Sequence, residues 1–176
     1  MTWHGFVDES RRGGVYLMAV TLVRPRELDR TRVGLRRLVK PGQRRVHFKK
    51  ESDSRRRELV SRLHDLGLRA RVWSCRHHDD LVARRACLAA IARKMLELGV
   101  SRLALESCQH QDIGDRHTLA EIVGTNSKLL TYDHLRPGED PILWVSDGVA
   151  WCHGAGGDWR RRVGCLVDEV TQVDVP

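Results

Sequence analysis

The feature that most constrains the fold is a double change of hydrophobic period in the middle of the chain. Leu68 to Cys75 alternates apolar residues with arginine (Leu68, Ala70 and Val72 against Arg69 and Arg71), the period of two expected of a strand. Asp79-Asp80 then open a long helix to Leu98, with Leu81, Leu88, Ile91, Met95 and Leu98 facing inward and Gly99 at the stop. Val100 to Leu105 returns to a strand and ends on Glu106. Strand, long helix and strand in succession commit the chain to an α/β arrangement.

The flanking segments fit that frame. Trp3 to Asp8 is a short β-forming run ending in Asp8-Glu9, and Ser10-Arg11-Arg12-Gly13-Gly14 carries turn chemistry. Val15 to Val23 reads as a strong strand, so the opening is an antiparallel hairpin closed by Pro25. Glu27 to Val39 has helical spacing and stops before Lys40-Pro41-Gly42. Val46-His47-Phe48 reads as a short extended piece. A helix follows, capped by Ser52 or Ser54, with Leu59, Val60 and Leu63 inward and Gly67 at its end. Thr118 to Leu130 is expected to be helical. Pro141 to Cys152 is a compact apolar helix with Leu143, Asp147 and Trp151 on one face. Gly154 to Gly157 interrupts it before a last amphipathic helix, Trp159 to Val167, and a short tail. There is no internal repeat, low-complexity stretch or linker, so residues 1–176 are expected to form a single domain with a mixed sheet flanked by helices.

Composition narrows the partners. The 176 residues carry a net charge of +8, and of the 31 Lys and Arg residues only five are lysines, leaving 26 arginines. Arginine grips phosphate through a planar two-pronged fork that lysine lacks, which favours a polyanionic partner; an arginine-rich proteome gives the same bias with no partner at all. At 41% hydrophobic residues the chain is not intrinsically disordered. Its longest apolar runs, such as Val15 to Val23, fall far short of the ~20 residues that span a bilayer. Met1-Thr2-Trp3-His4-Gly5 lacks the basic and apolar regions of a secretory leader, so the expected location is the cytoplasm. The five cysteines have no Cys-x-x-Cys spacing and read as reduced thiols.

The placement of acids points to chemistry. Asp8 ends the first strand, and Glu106 ends the strand after the long helix. A right-handed crossover would set these two strands parallel and near one another, with both carboxylates at one sheet edge, where ligand sites of open α/β sheets lie. Asp147, an acid within an apolar helical stretch, would bring a third; such residues are seldom buried unless paired or ligating. Three converging carboxylates demand a cation, and hard oxygen ligands suit Mg²⁺ or Mn²⁺. Two such ions about 3.5–4 Å apart activate water and stabilise the leaving oxygen in phosphodiester cleavage. Taken singly, two of the acids have a plainer reading, Asp8-Glu9 as a turn and Glu106 as a solvated charge or an arginine's partner, whereas Asp147 is harder to dismiss.

Three motifs carry a family resemblance. Phe6-Val7-Asp8-Glu9-Ser10 ahead of a glycine-bearing turn, Leu103-Ala104-Leu105-Glu106-Ser107 mid-chain, and Leu143-x-x-x-Asp147-x-x-Ala150 in a late helix occur in that order. Together they resemble a ribonuclease H-like family of largely uncharacterised bacterial proteins that opens with a (Tyr/Phe)-(Ile/Val)-Asp-Glu-Ser strand. The resemblance implies a ribonuclease H-like fold and metal-dependent nuclease chemistry, with Asp8, Glu106 and Asp147 as metal ligands and catalytic acids. The chain departs from the pattern where Arg11-Arg12 replace the usual glycine after Asp-Glu-Ser, delaying it to Gly13. No motif fixes a fourth acid; Asp112, Asp115 and Glu9 are the candidates.

Other constellations carry less. His47 is the candidate proton shuttle among nine histidines, and Lys49 and Lys50 beside it are candidate phosphate contacts or a solvated cluster. Arg160, Arg161 and Arg162, close after Asp147, are candidate nucleic-acid contacts; Arg55 to Arg57 and Arg84-Arg85 read as solvated helix faces. Cys75-x-His77 and Cys108-x-His110 would form a zinc site only if their strands were adjacent. Nine aromatic residues do not suggest a stacking platform for single strands. The expected function is a Mg²⁺- or Mn²⁺-dependent nuclease acting on nucleic acid, with RNA slightly favoured. The alternative is a non-catalytic nucleic-acid-binding module of the same fold, and a third reading is a structural subunit.

Overall fold

A computed structural model describes residues 2–175. The hairpin expected at the start is longer than its sequence suggested. β1 runs Trp3–Arg12 and β2 runs Val15–Val23, with Arg12 opposite Val15. Only Gly13 and Gly14 are left to turn the chain, both with positive φ (58° and 74°). A two-residue turn of that kind matches the right-handed twist of the strands, and only glycine adopts it freely. Asp8 is therefore mid-strand, opposite Ala19, and not at a strand end.

The remaining elements are α1 (Leu28–Arg36), α2 (Asp53–Asp65), β3 (Arg69–Arg76), α3 (Asp80–Glu97), β4 (Val100–Glu106), α4 (Asp112–Val123), β5 (Thr131–Leu135), α5 (Ile142–Ala155), α6 (Gly157–Val163) and β6 (Val167–Gln172). Ser52 caps α2, accepting from Arg55 N at 3.3 Å, and Asp79 caps α3. The six strands form one sheet in the order β5-β4-β1-β2-β3-β6. β1 and β3 are antiparallel to β2; β4 is parallel to β1, β5 to β4 and β6 to β3. The parallel β1–β4 pair is as the crossover argument required. β3 and β4 are not neighbours, because β2 and β1 lie between them, so the two Cys-x-His pairs do not assemble into a zinc site.

Alternation along β1 and β4 assigns each side chain to a face. Phe6, Leu17 and Ala104 belong to a core beneath α1, α2 and α5, with Phe48, Leu143 and Val149. Val7, Met18, Leu103 and Leu105 belong to a second core beneath α3 and α4, with Leu88, Ile91 and Met95. Each large side chain so buried contributes about 1.5–3 kcal/mol.

Four expectations fail in instructive ways. Leu81 is 60% exposed, and the inward position four residues before Leu88 belongs to Arg84, which is 3% exposed; an ion network described below satisfies it. Of Val46-His47-Phe48, His47 is extended but Phe48 opens a turn of 3₁₀ helix, Phe48–Lys50. The helix expected from Thr118 starts earlier, at Asp112, and ends by Val123. β5 and β6 are strands that the sequence did not announce. Both are short edge strands with little alternation, held by backbone pairing to a neighbour already in place. β6 is further tied by Arg69 Nε donating to Asp168 at 2.8 Å and by the Arg71–Glu169 ion pair.

Candidate active site

The β1–β4 ladder ends at Val7 opposite Leu105, so Asp8 and Glu106 follow side by side just beyond the last pair. By alternation both project to the face covered by α5. That helix is pinned to β1 at the same level. Ser146 Oγ donates to Phe6 O at 2.7 Å, and the Thr21 hydroxyl lies 2.7 Å from it, all three groups being buried. The next residue, Asp147, is thereby brought to the two strand carboxylates. Its Oδ2 accepts from Phe48 N at 3.0 Å, which ties down the loop between α1 and α2. Gly148 permits that docking: a Cβ there would fall 2.7 Å from the Phe48 ring.

The three acids line an open cleft of about 600 Å³, together with Glu9, Arg11, Arg12, Arg45, His47, Lys49, His110, Trp144 and Trp151. Burial holds the Asp8 carboxyl well above the usual carboxylate range, and repulsion from Glu106, Asp147 and Glu9 adds to it. Its one hydrogen bond is from the adjacent Glu9 N, at 2.8 Å. Burial also raises Glu106, against the pull of Arg45, and raises Asp147, against the Phe48 N–H and the charges of His47 and Arg45. These are acids whose charges no cation of the protein balances closely. The nearest ion contact is Arg45 Nη1 to Glu106 Oε2, at 3.9 Å. Trp144 Nε1 and His47 Nδ1, buried atoms of cleft-lining residues, have no hydrogen-bond partner.

Asp112 and Asp115 are not brought to this cluster. Asp112 accepts from Ser107 Oγ (2.5 Å) and Cys108 N (2.8 Å) at the start of α4. Asp115 is gripped on both oxygens by Arg84 of α3, at 2.7 and 2.8 Å, and approached by His134 Nε2 of β5 at 3.0 Å. The third donor nitrogen of Arg84 reaches Tyr16 Oη (2.9 Å) and Glu9. Burial would raise Asp115, but the hydrogen bonds from Arg84 and His134 outweigh it and leave the carboxyl below its usual range. Asp112, Asp115 and His134 do present ligand atoms within 4.8 Å of one another, the only such group of three among the described residues. Arg84 already supplies a positive charge there. Asp8, Glu106 and Asp147 are less tightly drawn together and do not meet that limit.

The remaining candidates divide. Glu9 lines the cleft, although alternation turns it toward α3 and Arg84. His47 and Lys49 line the cleft, and Lys50 does not. Arg160, Arg161 and Arg162 lie on α6 outside it: Arg160 Nε donates to His153 O at 3.1 Å, while Arg161 and Arg162 pair with Asp158. Arg45 is a cleft residue that the sequence did not single out. The loop that carries it has no regular period, so no pattern aims it.

No family model matches the chain, and neither does any curated protein. Among solved structures the chain is similar to one described as the structure of the PCNA:RNase HII complex from Archaeoglobus fulgidus. The TM-score is 0.55 and the identity 20%, over 87% of this chain and 73% of that one. The fold is ribonuclease H-like. In this fold the central β1 and its parallel neighbour β4 supply two acids and the helix across them supplies a third. No described helix is long and apolar enough to cross a membrane.

Proposed function

We propose that the protein is a metal-dependent nuclease of the bacterial family its motifs resemble, hydrolysing phosphodiester bonds with RNA the slightly favoured substrate. The convergence of Asp8, Glu106 and Asp147 from three separate elements on one open cleft carries this reading. The donor set supports a resident divalent cation. It is all hard oxygen, largely withdrawn from water, with raised carboxyl affinities for protons and, among the described residues, no ammonium or guanidinium at hydrogen-bond distance. Asp8, Glu106 and Asp147 would hold Mg²⁺ or Mn²⁺. When bound, that ion supplies activation of water and stabilisation of the leaving oxygen.

The chain's own residues do the rest. Ser146 fixes α5 on β1 and so sets the spacing of Asp147 from Asp8. Asp147 holds the Phe48 loop over the cleft and presents His47 and Lys49 at its mouth. The net charge of +8 draws the polyanion to the surface.

The test is cleavage of labelled RNA, DNA and hybrid duplexes with Mg²⁺ or Mn²⁺, before and after Asp8→Asn, Glu106→Gln and Asp147→Asn. Each variant should abolish cleavage. If all three cleave as the wild type does, the site is misassigned. Salt-sensitive binding that survives chelation, with no cleavage by the wild type, would replace this reading with that of a binding module.

A further inference from the structure

The cleft holds several cationic side chains, and most are already engaged. Arg11 pairs with Asp80 across the hairpin. Arg12 lies over the Trp151 ring, 5.0 Å from its centroid. Lys49 stands exposed at the rim. Arg45 differs from all of these. Its side chain is 30% exposed and makes no hydrogen bond to any described residue, and its one ion contact among them is the 3.9 Å approach to Glu106.

That distance separates it from the arginines that neutralise acids elsewhere in this chain. Arg84 meets Asp115 at 2.7 Å, Arg32 meets Asp140 at 2.7 Å and Arg102 meets Asp133 at 2.9 Å. Arg45 stands further off from its acid, and none of its donors is engaged by a described residue. Its stem is nonetheless fixed. Val46 is buried beside it, Phe48 N is held by Asp147, and Arg56 spans Phe48 O and Lys49 O at 2.8 Å each. On the other side its Cδ packs against Gly138 of the loop entering α5, where a Cβ would approach to 3.3 Å.

We propose that Arg45 is the phosphate grip of the cleft, donating its fork to the scissile phosphodiester beside Asp8, Glu106 and Asp147, which would hold the cation. A planar guanidinium with free donors matches two phosphate oxygens at once. Its place beside Glu106 lets one bound phosphodiester meet both kinds of group. Arg45 thereby turns the acidic cleft from one that repels nucleic acid into one that admits it. This rests on the nuclease reading, and the experiment separates the two.

Wild type, Arg45→Ala and Arg45→Lys, each checked for folding by circular dichroism, are compared in three measurements on one labelled oligonucleotide. Turnover should fall by roughly 10²-fold in Arg45→Ala, and Arg45→Lys should recover only part of it. The slope of log affinity against log salt should drop by about one in Arg45→Ala and be largely kept in Arg45→Lys. Mn²⁺ binding without nucleic acid, followed by titration, should be as tight or tighter in Arg45→Ala, since a cation beside the acids has gone. Unchanged turnover and salt slope in Arg45→Ala overturn the proposal and leave the nuclease reading standing. Weakened Mn²⁺ binding overturns it too, because Arg45 would then shape the acidic site instead. A wild type that binds but never cleaves, with the slope still lost in Arg45→Ala, sinks the nuclease reading and keeps the phosphate contact. A wild type that neither binds nor cleaves overturns both.

Discussion

Asp8, Glu106 and Asp147 on one face of the sheet, and Glu9, Asp112 and Asp115 on the other, begin from adjacent residues of one strand. On the second face, Arg84 reaches through α3 to grip both oxygens of Asp115 and extends to Glu9 and Tyr16, while His134 closes the far side. The acids there are balanced within the protein, and Asp115 stays readily ionised. On the first face no guanidinium of a described residue comes within hydrogen-bond distance of Asp8, Glu106 or Asp147, and their carboxyls are pushed up by burial and mutual repulsion. Two carboxylates one position apart, Asp8 and Glu9, thus face opposite sides of the sheet, Glu9 toward a guanidinium and Asp8 away from one. Burial of a carboxylate is therefore not itself a functional sign. The missing counter-charge is.

Breaking either side of that contrast should give large and different effects. Asp8→Asn should bring cleavage of the labelled substrate down to background, a loss of at least about 10³-fold in initial rate, while the metal-free protein melts higher at pH 8 than the wild type. A lower melting temperature would mean that Asp8 is balanced by something else. Arg84→Met strips the cation from a buried pair and should destabilise by about 3–5 kcal/mol in urea unfolding. If Arg84→Met costs under about 1 kcal/mol, the second face is not the balanced one. Ser146→Ala leaves Phe6 O and the Thr21 hydroxyl buried without that partner and should cost about 1–3 kcal/mol; it should also slow cleavage, because Asp147 loses its anchor.

The two faces should also answer oppositely to pH in metal-free buffer. Asp8 has a folded pKa above its unfolded value, so the folded state binds more protons between the two. Its contribution is fully present below the unfolded value and lost as pH rises through the raised one. Asp115 has a lowered folded pKa. Its contribution is present above the ordinary aspartate range and lost as pH falls through the lowered one. Subtracting the stability–pH curve of Asp8→Asn from that of wild type should isolate the first trend, and saturating Mg²⁺ should flatten it. The smallest effect belongs to α6: Arg161→Ala, at an exposed residue already paired with Asp158, should shift oligonucleotide affinity by well under tenfold. A larger loss would extend the binding surface beyond the cleft.

Much of this was legible in the sequence, for identifiable reasons. The hairpin, β3, α3 and β4 carry strong periods of two or 3.6 that come from burying one face, and a period is a local property. The pairing of β1 with β4 follows from the handedness of crossovers, which sets Asp8 and Glu106 near one another from the sequence alone. β5 and β6 left no such trace, because short edge strands are set by the neighbour they pair with. Arg84 was hidden for a related reason. An arginine in an apolar helical position looks like a surface residue until its acidic partners arrive from β1 and α4.

By itself the sequence determined the α/β class, the order of the main elements and the identity of the acids on β1, β4 and α5. Each follows from hydrophobic period and residue chemistry along the chain. The tertiary structure decided which acids are balanced and which are not. Asp112 and Asp115 went to Arg84 and His134, and Asp147 went to Asp8 and Glu106, through a strand register and a serine hydroxyl on α5. Arg45 came to the cleft on a loop with no pattern of its own. Charge compensation depends on distances of a few ångströms between residues far apart in the chain, and only folding sets those.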